Sequence, residues 1–178
     1  TGNGTVVTSF SELTAAVTKA QKAGGGIVYV KGSSISCTAQ LALKASNANV
    51  SIIGVKNSDG TYPVLDFSAF RSAYIGKATT DSEVGIRISG SNYTIKNLII
   101  QKAPDNGIQI KGSSAGNNTI ENCIVRYNND AGVQITGGAY SNTMRFVYSY
   151  RNCDVYTLGG NADGFAPKLG AGKGNVFY

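Results

Sequence analysis

Gly85-Ile86-Arg87-Ile88, Gly107-Ile108-Gln109-Ile110 and Gly132-Val133-Gln134-Ile135 are three versions of one phrase, a glycine followed by apolar and polar side chains in alternation. Gly164-Phe165-Ala166-Pro167 repeats it more loosely, and the four glycines stand 22, 25 and 32 residues apart. A second series keeps step with the first: Asn-Tyr-Thr-Ile-Lys-Asn at 92–97, Asn-Thr-Ile-Glu-Asn at 118–122 and Asn-Thr-Met-Arg at 142–145. Thr94 precedes Gly107 by 13 residues and Thr119 precedes Gly132 by 13, whereas Thr143 precedes Gly164 by 21. The third turn therefore carries eight extra residues, between about Cys153 and Asn161.

Short alternating runs that recur at this period without an intervening helical pattern predict a parallel β-helix, each coil stacked on the next at about 4.8 Å. A leucine-rich repeat has a similar period, but its leucine ladder is missing. In the coil, Ile86/Ile88, Ile108/Ile110 and Val133/Ile135 point inward. Arg87, Gln109 and Gln134 form an outward column beside Ser89, Lys111 and Thr136. The same phasing aligns Cys123 with Leu98 and Val147, which reads as a buried small residue rather than a reactive thiol. It also pairs Asn97 with Asn122 and Asn128 with Asn152, predicting short asparagine stacks at the turns.

Toward the amino end, Ser9-Glu12 has capping-box spacing and Phe10, Leu13, Ala16, Val17 and Ala20 follow at helical intervals, so a helix is expected within 8–26, stopped by Gly24-Gly25-Gly26. Its expected role is to cover the end of the coil. Short strands are expected at Ile27–Val30, Ile35–Ala39, Val50–Gly54, Val64–Phe67 and Tyr74–Ile75, with coils filling 27–178 and no second helix.

Composition agrees. The chain has 178 residues, 42% hydrophobic and 15% charged, enough for one core and one all-β domain over 1–178. Glycine numbers 23, and the 16 asparagines outnumber the 10 acidic residues, a mix suited to many tight turns. The absence of histidine excludes serine-histidine-aspartate, cysteine-histidine and HExxH chemistry. Three cysteines, without C-x-x-C spacing, do not make a structural zinc site. The longest apolar runs fall far short of the roughly 20 residues of a membrane span. A net charge of +6 suits an anionic partner, either nucleic acid or an acidic polysaccharide. No basic block or aromatic-basic run supports nucleic acid. Lys173 sits in Ala-Gly-Lys-Gly, which lacks phosphate-loop spacing.

The run from Asn161 to Phe177, Asn-Ala-Asp-Gly-Phe-Ala-Pro-Lys-Leu-Gly-Ala-Gly-Lys-Gly-Asn-Val-Phe, resembles the signature of family 9 polysaccharide lyases over seventeen contiguous positions. These are pectate lyases with a right-handed parallel β-helix. Weaker likeness, in the capping helix, the Gly-Gly-Ile-Val-Tyr-Val strand and the Gly-Ile-Gln-Ile coil, covers most of the chain. The resemblance implies β-elimination on polygalacturonate by a secreted enzyme whose leader is absent from this chain. That reaction removes the proton at C5 beside a carboxylate, and calcium, a hard ion bound by oxygens, is the implied cofactor that neutralises it. Asp163 corresponds to the first calcium-binding aspartate. The family's other ligands and its lysine base lie in segments after the Gly-Asn-x-Phe run, and this chain ends at Tyr178. It is expected to be an amino-terminal part without turnover of its own, truncated within the solenoid and prone to self-association through that end.

Lys168, Lys111 and Arg87 are candidate contacts for successive uronate carboxylates; Lys168 reads equally as a solvated surface cation, and for Lys111 and Arg87 the solvated reading is favoured. A catalytic Lys168 is disfavoured, because the resemblance places the base downstream. Asp105 and Asp130 fall one residue out of phase with Asp163 and read as turn formers or as an acidic ridge; Asp154, near the insertion, is a weaker ligand candidate. The alternative function is a non-catalytic β-helix that binds acidic polysaccharide. A polygalacturonase on the same solenoid ranks third, since its Gly-His-Gly element needs a histidine.

Overall fold

A computed structural model of the chain describes residues 4–178. Along it run β1 (Thr5–Val7), α1 (Phe10–Lys22), β2 (Gly26–Val30), β3 (Ser34–Ser36), β4 (Leu41–Leu43), β5 (Val50–Gly54), β6 (Val64–Asp66), α2 (Ser68–Arg71) and a 3-10 turn at Ser72–Tyr74. Then follow β7 (Ile86–Ile88), β8 (Tyr93–Lys96), β9 (Ile99–Gln101), β10 (Ile108–Lys111), β11 (Thr119–Glu121), β12 (Ile124–Arg126), β13 (Val133–Thr136), β14 (Thr143–Arg145), β15 (Tyr148–Tyr150), β16 (Phe165–Pro167) and β17 (Val176–Phe177).

Every strand pairing is parallel, and the strands sort into three sheets. Sheet I has the order β1-β2-β5-β8-β11-β14-β17, sheet II β3-β6-β9-β12-β15 and sheet III β4-β7-β10-β13-β16. Each coil runs from sheet III to sheet I to sheet II, so strands neighbouring in a sheet are one full turn apart in sequence. This is the parallel β-helix that the repeat predicts.

The register is the one read from the sequence. Ile86, Ile108 and Val133 are aligned, as are Ile88, Ile110 and Ile135, and Arg87, Gln109 and Gln134 between them. The six aliphatic side chains are buried, each contributing about 1.5–3 kcal/mol. The glycine that opens the phrase is needed for close approach between coils. A Cβ on Gly132 would overlap Ser149 Oγ and stand 2.8 Å from Gly164 O, and one on Gly107 would stand 2.5 Å from Val125 Cγ1.

Cys123 lies between Leu98 and Val147, buried, and burial pushes its thiol up to about 12. Asn122 Nδ2 donates to Asn97 Oδ1 at 2.8 Å, both residues in the left-handed region that asparagine tolerates. Asn128 Nδ2 donates to Asn152 Oδ1 at 2.9 Å. A longer ladder joins Asn118, Asn142 and Asn175, each side-chain amide donating to the next Oδ1 at 2.9 and 3.0 Å.

Helix α1 occupies the centre of the expected span. Ser9 Oγ accepts from Glu12 N–H, while Glu12 reaches back to Thr8 N–H rather than to the cap residue itself. Leu13, Ala16 and Val17 join the common core, and Gln21 Nε2 donates to the hydroxyl of buried Tyr93. The expected strand at Tyr74–Ile75 is not formed. Residues 67–85 leave the coil through α2 and the 3-10 turn, and Ile75 projects into solvent. The run was short enough to pass for a strand, and nothing pairs with it. Helix α2 also corrects the expectation of a single helix. β1 and β4, of three residues each, were not anticipated. At the last coil Phe165 and Pro167 occupy inward positions but are exposed, and with Met144, Val147, Phe177 and Tyr178 they line an open apolar recess.

Candidate functional site

The corner between sheets II and III collects the unusual chemistry of the molecule. It takes residues 102–107 in one coil and 127–132 in the next, but 67–85 before them and 151–164 after. Both long excursions therefore leave from the same edge. The second is the expected insertion; the first was not anticipated, although the distance from Asp66 to Gly85 is a readable signal once β6 is aligned with β9.

The earlier excursion brings Asp81 onto the outer face of sheet III. Its Oδ2 lies 2.6 Å from Lys111 Nζ and 3.2 Å from Arg87 Nη1, and its Oδ1 accepts from Gln109 Nε2 at 2.9 Å. Burial pulls the Asp81 carboxyl upward, but Lys111, Gln109 and Arg87 outweigh it and hold it below its ordinary value. Two of the three candidate substrate cations are thus gathered by one carboxylate that sequence reading passed over. Gln109 also donates to Gln134 Oε1 at 2.8 Å, and both glutamines are buried although they face outward.

Lys168 follows the same strand line as Lys111, one coil beyond Thr136, as expected. Its Nζ lies 3.7 Å from Asp163 Oδ2, with the aspartate side chain 53% exposed. Asp163 is held through its backbone, whose carbonyl accepts from Gly132 N–H at 2.9 Å. Asp105 and Asp130 sit at matching positions of consecutive coils, and each accepts from the next residue's N–H, so both are turn formers. They are also electrostatically coupled. Burial raises the Asp105 carboxyl, helped by Asp81 and Glu83. Burial pushes Asp130 up to about 6, Asp105 and Asp154 push the same way, and Lys168 opposes them. Asp154 is buried and accepts from Tyr156 N–H, Thr157 N–H and Thr157 Oγ1, which folds the start of the insertion.

The fit to a calcium ion is incomplete. Among the described residues no three His, Cys, Asp or Glu side chains gather as a metal site, whereas calcium takes six to eight oxygens. Asp163 offers one carboxylate to solvent beside a lysine. No helix is long and apolar enough to cross a membrane.

The model of the "Pel9A-like, right handed beta helix region" matches residues 1–178. The chain belongs to this family. Pectate lyase L of Paenibacillus polymyxa (strain SC2) is 35% identical, the match covering 93% of this chain and 36% of that protein. The crystal structure of pectate lyase Pel9A superposes with a TM-score of 0.70 at 26% identity over 94% of this chain and 40% of that one. A rhamnogalacturonan lyase shares the fold, with a TM-score of 0.61 at 20% identity over 86% and 42%. The chain therefore spans about two fifths of the lengths of these relatives.

In this chain, part of the run from Asn161 to Phe177 is architecture. Asn175 ends the asparagine ladder, a Cβ on Gly172 would stand 2.7 Å from Gly138 O, and Phe177 meets the Phe165 ring edge-on at 5.5 Å. Asp163 and Lys168 have polar side chains in this run that no backbone group or ladder engages.

Proposed function

We propose that this chain forms part of a calcium-dependent pectate lyase that cleaves polygalacturonate by β-elimination outside the cell. The observation that carries the proposal is the pairing of Asp163 with Lys168 on the outer face of the last coil, in a motif whose Gly172, Asn175 and Phe177 are occupied with packing. In this reading Asp163 contributes one calcium ligand. The remaining ligands and the proton-abstracting base lie outside residues 4–178, so these residues alone hold polymer without turning it over. Bound calcium would supply positive charge to the uronate carboxylate beside the reacting carbon.

Lys168, Lys111 and Arg87 contact the carboxylates of successive sugars. Asp81 now occupies Lys111 and Arg87, so the polymer exchanges one carboxylate for another there, a nearly balanced trade of charge-assisted hydrogen bonds.

Lyase action releases unsaturated uronides that absorb in the ultraviolet. In the protein extended past Tyr178, turnover is expected with calcium and is lost on chelation; undiminished turnover in chelator overturns the calcium dependence. Asp163→Ala in that protein lowers rate and calcium affinity together, and an unchanged pair of values removes Asp163 from the site. The second reading, a module that binds acidic polysaccharide without cleaving it, is favoured by the lack of a gathered metal site among the described residues. Retention of polygalacturonate by the extended protein without unsaturated product would establish it, and reducing ends without ultraviolet absorbance would mark a hydrolase.

A further inference from the structure

We infer that the outer face of sheet II carries a second binding surface for an anionic glycan, built around Tyr127 from Arg71, Arg126 and Arg151. The surface lies where sheet II runs into the corner that carries Asp163, with Tyr127 and Arg151 at the first residues of that corner and Asp163 near its last, and rests on the proposed function only for the choice of polyuronate as its ligand. Arg126 Cζ lies 5.5 Å and Arg151 Cζ 5.7 Å from the Tyr127 ring centroid. Arg151 Nη1 donates to Tyr127 Oη at 2.8 Å, and Arg126 Nη1 to Tyr150 Oη at 3.2 Å. Arg71, at the end of α2, donates to the Tyr127 carbonyl at 3.0 Å and to Asn129 Oδ1 at 2.8 Å.

Among the described residues the two other arginines each have a carboxylate partner, Arg87 with Asp81 and Arg145 with Glu121. None of the three around Tyr127 has one. The nearest connection to an acid runs from Arg126 Nε through Gln101 to Asp66, which already pairs with Lys102. Three guanidinium groups held by neutral acceptors leave an uncompensated positive surface, and a planar guanidinium suits a carboxylate.

The arrangement is held at a conformational cost. Lys102, Tyr127 and Arg151 occupy one corner position in successive coils with φ of 60°, 57° and 54°. Bulky side chains rarely adopt this region, which the corner between sheets I and II fills with Asn97, Asn122 and Phe146 in successive coils. Around the arginines Tyr148 and Tyr150 stand exposed, Tyr148 by 68%, offering flat apolar faces beside the charge. Charge with adjoining aromatic faces fits an extended sugar acid better than a compact inorganic anion.

Affinity electrophoresis of the protein in gels containing polygalacturonate, neutral galactan or polyaspartate tests the surface. The probes are the wild type, Arg126→Gln/Arg151→Gln, and Arg87→Gln/Lys111→Gln. The wild type is expected to be retarded by polygalacturonate and not by galactan, and the Arg126/Arg151 variant to bind about tenfold more weakly, a loss of the same size in the Arg87/Lys111 background. In the protein extended past Tyr178, cleavage of a short oligogalacturonate by the Arg126/Arg151 variant is expected to stay at the rate of its unsubstituted form. Unchanged polymer retention in the Arg126/Arg151 variant overturns the surface while leaving the proposed function standing. An equal loss on polyaspartate overturns its assignment to glycan. Retention that persists in the Arg87/Lys111 variant and vanishes in the Arg126/Arg151 variant supports the surface and removes the cation column from the proposed function. Thermal melts identify any variant that fails to fold. For such a case, titration of the wild type with trigalacturonate, followed through the arginine Nε–H resonances, is expected to shift Arg126 and Arg151; stationary signals overturn the surface.

Discussion

Two corners of each coil are built on opposite plans. Between sheets III and I the chain is buttoned by Asn118 and Asn142, each amide engaged by the coils on either side, and by Asn175, engaged by the coil before it and by Gly172. Between sheets II and III it carries Asp105, Asp130, Asp154 and Asp163, two long excursions and Asn106, whose buried Oδ1 lacks a partner; the other such oxygen among the described residues, Gln109 Oε1, lies just beyond the corner in β10. Asn128 and Asn152 still anchor the first residues of that corner. An asparagine ladder demands that successive coils stay in phase, since one inserted residue would separate donor from acceptor. A corner relieved of that demand can lengthen outward and hold charges close together, which is where binding chemistry concentrates.

Replacing Asn142 by alanine tests the buttoned corner most severely. Asn142 is wholly buried, accepts from Asn118 N–H and Nδ2, and donates to Asn175 and Ala115. Loss of the amide strands buried partners on both sides and is expected to cost about 3 kcal/mol or more in urea unfolding. A cost below about 1 kcal/mol would show that water substitutes for the ladder and would blur the contrast between corners.

Asn122→Ala, at the two-residue corner between sheets I and II, removes two inter-coil bonds, to Asn97 Oδ1 and Tyr62 Oη, and an amide suited to the left-handed backbone, from a half-buried site. The expected cost is about 1–2 kcal/mol, measured in the same way.

Asp130→Asn sharpens the comparison from the charged side. Its carboxyl is pushed up to about 6 from an ordinary 3.8, so between those values the folded chain binds the proton more readily than the unfolded chain does. The charge then opposes folding increasingly as pH rises through this window and opposes it fully above. Asparagine keeps an acceptor for Ala131 N–H. The variant is expected to gain about 1 kcal/mol at pH 7.5, after allowance for partial exposure, and to gain nothing at pH 3.5. Thermal melts at the two pH values read the difference, and an equal gain at both would remove the electrostatic cause.

The smallest effect is expected at the tip of the insertion. Leu158 is 96% exposed, and Leu158→Ser is expected to change unfolding stability by less than about 0.5 kcal/mol. A larger loss would mean that the insertion packs as a structural element.

The architecture was legible because a glycine phrase and an asparagine phrase recur in phase, and stacking identical coils is the way for such short strands to bury their aliphatic faces. The inward pairs, the alignment of Cys123 and the asparagine stacks all follow from counting. Asp163 and Lys168 were legible as well, through a contiguous motif and through position in the coil.

The grouping of Arg87 and Lys111 under Asp81 was not legible. Asp81 reaches them from an excursion with no repeat partner, and its direction depends on how α2 and the following turn pack against later coils. The three arginines around Tyr127 come from positions 71, 126 and 151, which only the stacking of coils brings together. Sequence by itself determined the winding and its phase, because periodic burial is a local and repeated constraint. Tertiary structure alone decided which charges meet outside the coil, because those meetings depend on the path of segments that break the period.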